Sequence, residues 1–338
     1  MPLPLPESPG PMTSPESTTL TVRRLLRERF DADKTIRYRA RKQLGILAQD
    51  TDTPPGTLAL LISEGPLRSR QLAAANPSAP PAALAGADRR LTLQIAGNPA
   101  TPLPVLRALA TNPHWQVRAA TATNPQTPTS VLGGLATDKE VGVRIAAAGN
   151  PTLSPQALAT LSEDSHEVVR SRVGANPATP PQTLATLHRD KEVGVREAVA
   201  SNPTTPAQAL LRLAGDGNWS VRAVCAGNTR APEPALVALI VDTSPAVRSR
   251  IASNRGVPSE ALALLMGDPD MGVQLELAAN PGVDPTILDG LARAGTSKVQ
   301  RRVAHNRSTS AETLGWLAQS SKPKVSRVAK AAIAARSV

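Results

Sequence analysis

Aromatic residues are nearly absent from this 338-residue chain, which holds one Phe, one Tyr and three Trp. Its core must therefore be built from Leu, Val, Ile and Ala, and side chains that small suit closely stacked helices. Cysteine is reduced to Cys225 alone, which excludes a disulfide framework and any multi-cysteine metal site. The four histidines, His114, His166, His188 and His305, share no metal-ligand spacing and read as solvated residues. No apolar run approaches the roughly 18 residues of a membrane span. The opening MPLPLPESPGPM lacks the basic and apolar regions of a secretory signal. A soluble cytoplasmic protein without membrane contact is the expectation. There is no Walker loop, dinucleotide fingerprint or nucleophile elbow. No catalytic, cofactor-binding or metal-binding residue is assigned, no cofactor is expected, and the chain reads as a non-enzyme.

A strict period takes the place of these motifs. Asn stands at 76, 98, 124, 150, 176, 202, 228, 254, 280 and 306, at intervals of 26 residues except for a first interval of 22. Asp50 lies 26 before Asn76 and opens one further unit. Self-similarity at this period marks a solenoid of about eleven units. Leu recurs eight residues after each Asn, as at Leu106, Leu184 and Leu210, and an apolar residue follows three further on, usually Leu. Val returns at 117, 143, 169, 195, 221, 247, 273, 299 and 325, with another apolar column four residues beyond. Spacings of three and four place each pair on one helical face, so each unit reads as two short helices. Cys225 falls in the apolar column of Val199 and Ile251 and reads as a small buried hydrophobe. Trp115 and Trp219 share a mostly apolar column and are expected to pack between repeats. Trp316 either covers the last repeat or stands exposed.

The turns are equally marked. Thr-Pro pairs at 53–54, 101–102, 127–128, 179–180 and 205–206 predict a Thr N-cap with Pro at the first helical position. Asn-Pro ends the second helix, because a residue before proline avoids the α region. A column of acids, Asp138, Asp164, Asp190, Asp216 and Asp242, precedes by six residues a column of arginines, Arg144, Arg170, Arg196, Arg222 and Arg248. These ten residues read as a structural ladder. The acid is expected to cap the second helix and to pair with an Arg of its own or an adjacent unit. Asp268 with Gln274 breaks the pattern. The short unit 76–97 lacks the Arg and carries Asp88-Arg89-Arg90, which predicts a local change of direction.

These residues resemble the variant leucine-rich repeat family and, more loosely, the HEAT repeats. The shared pattern is Asn-Pro-x-Thr-Pro, then Leu-x-x-Leu, then Asp…Val-Arg, from about Asp50 to the C-terminus. The resemblance implies an all-α fold, a right-handed α-solenoid of short two-helix repeats without strands. Some family members hold an iron–sulfur cluster on an N-terminal cysteine cluster, and residues 1–49 hold no cysteine at all. The resemblance implies very little about function.

Around the repeats, residues 1–19 are rich in Pro, Ser and Thr and are expected to be disordered. Residues 20–49 read as a basic helical cap, covering the first repeat with Leu25, Leu26, Phe30, Ile36, Leu44 and Leu47. Repeats are expected over 50–331 and the end of a C-terminal cap over 332–338. The net charge is +11, and its excess sits at the ends. Residues 50–295 hold 20 basic and 21 acidic residues, while residues 296–338 hold nine basic residues and one acid, Glu312. Candidate phosphate- or partner-binding residues are Lys298, Arg301, Arg302 and Arg307, followed by Lys322, Lys324, Arg327 and Lys330. At the other end they are Arg37, Arg39, Arg41 and Lys42. The first reading is a scaffold whose extended surface binds a protein. The alternative is binding of a nucleic-acid backbone through the basic ends and the groove between them. A remote alternative is a HEAT-like DNA glycosylase, for which aromatics are too few.

Overall fold

The computed structural model describes residues 15–336. Among them there are twenty-four α-helices and no strand. They form two compact units, divided between Ala157 and Leu158. A typical repeat has a seven-residue first helix, such as Pro181–Leu187, and a nine-residue second helix, such as Val193–Ser201. Neither is long enough to persist alone in water, so stacking supplies the stability. The Leu and Val columns form the interior. Leu184, Leu210, Val195, Val199 and Val221 are all buried.

The buried asparagines join one repeat to the last. Nδ2 of Asn202 donates to the carbonyls of Gly174 and Asn176, at 2.8 and 2.9 Å, in the preceding repeat. Its Oδ1 accepts the N–H of Thr204 at 2.9 Å. Asn124 makes the same bonds to Ala96 and Asn98, at 2.8 and 2.7 Å. Each Asn is also the extended residue that ends its second helix. Proline is not required for that ending, because Asn228, Asn254 and Asn306 do it before Thr229, Arg255 and Arg307.

The Thr-Pro pairs differ from expectation. Pro180 and Pro206 are themselves the N-caps, in extended conformation. The threonine hydroxyl points backwards instead. Thr179 donates to the Val173 carbonyl and Thr205 to the Val199 carbonyl, each at 2.6 Å. A second helix ends with unsatisfied carbonyls, and the hydroxyl satisfies one of them.

The N-terminal cap also begins earlier than expected. Residues 15–19, expected in a disordered tail, belong to helix Pro15–Glu28. Proline suits the opening turn, where no N–H is needed, and the Thr19 hydroxyl donates to the Pro15 carbonyl at 3.0 Å. The rest of that expected tail lies outside the described residues. Helix Lys34–Gln49 completes the cap and packs on Leu67–Ala75, the second helix of the first repeat. Leu25, Leu26, Leu44 and Leu47 are buried there, but Phe30 and Ile36 are exposed. In the short unit, a five-residue first helix and a 3-10 turn, Arg89–Leu91, replace the usual arrangement. Asn98 keeps its bonds to Ala74 and Asn76 across the deletion.

Candidate partner-binding face

One column of charge in the body is committed internally. Arg196 reaches forward one repeat, with Nε at 2.7 Å from Asp216 Oδ2 and Nη2 at 3.1 Å from Oδ1. Its Nη1 turns back to the Asp190 carbonyl at 2.8 Å. Arg118, Arg170, Arg222 and Arg248 make the same forked contact with Asp138, Asp190, Asp242 and Asp268. Arg144 binds back to the Asp138 carbonyl at 3.0 Å, and Asp164 Oδ1 accepts the His166 N–H at 2.9 Å. The acids do not cap the second helices directly. Asp190 Oδ1 accepts the N–H of Glu192, which is itself the N-cap, so the acid organises the turn ahead of the helix. Short Asp side chains favour this i to i+2 contact.

The ladder carboxyls lie below their ordinary range. In Asp138 and Asp242 the hydrogen bonds from Arg118 and Arg222 are the largest cause. In Asp190, Asp216 and Asp268, burial pushes the carboxyl up, but the bonds from Arg170, Arg196 and Arg248 and from a backbone N–H outweigh it.

Within each unit, consecutive second helices pack more extensively than consecutive first helices, so the second-helix side is the tighter one. Clefts open on that side. One of ≈ 540 Å³ lies between helices Lys34–Gln49 and Leu67–Ala75, with Tyr38, Arg41, Lys42 and Arg68 on its wall. Another holds Trp219, Ser220, Ala246 and Arg250. A third, near the C-terminus, holds Lys298, Arg301, Arg302 and His305, with one acid, Glu276, on its wall. It adjoins a fourth at His305 and Val328, which is edged by Arg307 and Arg327.

The candidate cations therefore separate. Lys298, Arg301, Arg302 and Arg327 come together on this face, and Lys324 repeats the column of Lys298. Arg41 and Lys42 share the N-terminal cleft. Arg37 is committed elsewhere, donating to the carbonyls of Asp31 and Ala32 at 2.5 and 2.9 Å. Arg39 is exposed and Lys322 reaches Gln300 Oε1 at 3.4 Å. Lys330 occupies the column where Ala252, Ala278 and Ala304 are buried against a following repeat. It therefore faces the open end of the stack. Arg68 and Arg250 also line this face and were not singled out by the sequence. Their signal is the column they share with Lys298 and Arg302 respectively.

Burial pushes the Cys225 thiol up to about 12. Trp115 lies over Gly142, where a Cβ would meet its ring at 2.8 Å. Trp115 and Trp219 are 44% and 54% exposed, so the expected packing between repeats leaves a large part of each ring in solvent. Trp316 is also exposed and is covered by Arg293 at 5.4 Å. No cluster of three metal-ligating side chains occurs among the described residues, and none of their helices is long and apolar enough to cross a membrane.

The leucine rich repeat variant family model matches residues 193–218, one repeat in length. No curated protein matches the chain. A solved structure described as a leucine-rich repeat variant with a novel repetitive structural motif is similar at 24% identity and a TM-score of 0.50. The likeness covers 66% of this chain and 88% of that one and shows the fold. Yeast importin-beta is similar at 14% identity and a TM-score of 0.43, over 92% of this chain and 57% of that one. An engineered protein is similar at 19% identity and a TM-score of 0.34, over 93% and 98%.

Proposed function

We propose that this chain, an α-solenoid similar in fold to a leucine-rich repeat variant, is a non-enzymatic scaffold binding a protein partner along the exposed face of its second helices. One observation carries this reading. The polar groups of the interior are consumed by the Asn and Arg–Asp ladders, whereas the second-helix face holds open clefts with unspent side chains, including Trp219 and Arg250. Exposed Trp and Arg beside small residues are the composition of interface anchors. Repeat stacks present such faces continuously. The test is photo-crosslinking in an extract of the native cell, with the reactive group placed at Ser220 or Arg250 on second helices and at Gln182 or Gln208 on first helices. Protein crosslinks are expected from the second-helix positions. Crosslinks confined to Gln182 and Gln208 would sink the reading.

A second reading, binding of a nucleic-acid backbone, is favoured by the cluster of cations near the C-terminus. Titration of labelled duplex and single-stranded DNA and RNA at several salt concentrations tests it. A steep log-linear loss of affinity with salt supports phosphate contacts, and no binding at low salt removes them.

A further inference from the structure

We infer that the adjoining clefts on helices Ser297–His305 and Pro323–Ala334 take an acidic amphipathic segment of the protein partner. The inference rests on the scaffold reading and narrows it to one partner chemistry and one place. Lys298, Arg301, Arg302, Lys324 and Arg327 form no ion pair among the described residues, and only Arg301 has a hydrogen bond, a 3.3 Å contact with the Ser297 carbonyl of its own helix. The contrast with the ladder is direct. Arg170, Arg196, Arg222 and Arg248 each hold a carboxylate in a two-pronged contact, while these cations hold none.

Solubility of a terminal repeat does not account for them. That need concerns the open end of the stack, where Lys330 stands. The five cations lie on the lateral face, and the same columns two to four repeats earlier hold Ser220, Ala223, Ala246 and Ser249. Of the columns of these cations, only that of Arg302 carries a positive charge in those repeats, at Arg250.

The apolar floor beside Arg327, in the cleft that adjoins that of Lys298, Arg301 and Arg302, sets the partner's other half. It is built from Ala304, Val328, Ala331, Ala332 and Ala335. A ligand that only neutralises charge leaves this apolar surface wet. An amphipathic helix covers it with small or branched apolar residues while its carboxylates meet the arginines. Spacing fits as well. Neighbouring helices pack about 8–10 Å apart, and carboxylates two turns apart on a helix are separated by about 10 Å. A nucleic-acid strand fits less well, since the two clefts hold no Trp, Tyr or Phe for bases to stack on and only one ring, His305. Arg336 takes no part, because its guanidinium is bound to the Asn306 and Thr309 carbonyls.

The probe is a fluorescein-labelled helical peptide with Glu on one face and Leu on the other, titrated with the full chain by anisotropy. A peptide with Gln for every Glu and a labelled duplex DNA are run beside it. The Glu peptide is expected to bind, to weaken about tenfold between low and physiological salt, and to weaken at least about tenfold in the variant R301E/R302E/R327E. Lys330→Glu, with the same sign of change outside the clefts, is expected to bind the peptide like the parent. Circular dichroism confirms that both variants stay folded, and Arg302→Glu alone is used if the triple variant unfolds. Equal binding of the Glu and Gln peptides, no binding of either, or an unchanged affinity in the folded variant overturns the inference. Duplex DNA binding more tightly than the peptide, and lost in the same variant, replaces it with the nucleic-acid reading. The scaffold reading is judged apart from this by the crosslinks, which fall on second helices if it holds, whether or not the peptide binds.

Discussion

Arg248 and Asp268, twenty residues apart in consecutive repeats, form the last forked pair of the ladder, with Nε to Oδ2 at 2.6 Å and Nη2 to Oδ1 at 3.0 Å. Beyond it the next pair is Gln274 and Ala294, neither of them charged. Gln274 keeps only the backward bond, from Nε2 to the Asp268 carbonyl at 2.8 Å. With no acid to order the turn, the following first helix runs on to Ala294, and Gln300 donates to its Ala292 carbonyl. Asp268 beside Gln274 looks like a mismatch when acid and base are compared within one repeat. Read forward by one repeat, each partner accounts for the other.

Removing one member of a ladder pair should cost far more than a surface ion pair. Arg222 and Asp242 are mostly buried, and loss of either strands the other. Arg222→Ala and Asp242→Ala are each expected to destabilise by about 3 kcal/mol, with the double variant little worse than either alone. Arg222→Lys should not rescue, since an ammonium cannot make the two-pronged contact and the backbone bond together. Urea denaturation of the four proteins measures the coupling.

The ladder also sets an acid limit. A carboxyl whose folded value is depressed stabilises fully above its unfolded value, near 3.9, and loses that contribution as pH falls through the lower folded value. Asp138, Asp190, Asp216, Asp242 and Asp268 are all depressed. The melting temperature is therefore expected to be flat between about pH 5 and 7 and to drop below about pH 4. Replacing Asp190, Asp216 and Asp242 by Asn should lower the plateau and shrink the acid drop, as followed by circular dichroism. An unchanged drop would place the acid sensitivity elsewhere.

The stripes of Leu and Val were legible because their jobs repeat, almost everywhere every 26 residues, at positions that are nearly all buried. The asparagine bonds were legible in principle. Asn228, Asn254 and Asn306 persist where the following proline has gone, so the column must serve something other than proline's helix-stopping effect. The threonine hydroxyl was not legible, since a Thr before Pro is compatible with capping forward or bonding backward. Nor were the clefts. Which columns face outward depends on how neighbouring repeats tilt, and Arg68 and Arg250 announce themselves only once the second helices are known to line the tighter side.

The asparagine column yields a sharper substitution test. Asn202→Ala removes bonds to Gly174, Asn176 and Thr204 in a nearly solvent-free site, at an expected cost of about 3 kcal/mol. Asn202→Asp should be worse, because it aims a carboxylate at two carbonyl oxygens. In a stack whose repeats contact only their neighbours, the loss should stay local. Hydrogen exchange should rise first in helices Glu167–Ala175, Val193–Ser201 and Trp219–Gly227.

Cys225 should be chemically silent. Its thiol is fully buried, donates to the Leu210 carbonyl at 3.3 Å and is pushed up to about 12 by burial. Ellman's reagent at pH 8 is expected to find no reactive thiol in the native chain and one after denaturation. Cys225→Val, matching Val199 in the same column, should keep the fold with a change of about 1 kcal/mol or less. Rapid native labelling would mean that this repeat opens locally.

Arg336 closes the asparagine column at its C-terminal end. A further repeat would place Asn at position 332, but Ala332 stands there, and the Asn306 carbonyl lacks its forward donor. Arg336 supplies it from four residues later, with Nη2 2.7 Å from the Asn306 carbonyl and Nη1 2.6 Å from that of Thr309. Arg336→Ala should therefore loosen helix Pro323–Ala334 by about 1–2 kcal/mol while leaving earlier repeats alone. Hydrogen exchange distinguishes this from a merely solubilising role. The capping role requires faster exchange in that helix alone, whereas a solubilising residue would change aggregation and leave the exchange pattern as it was.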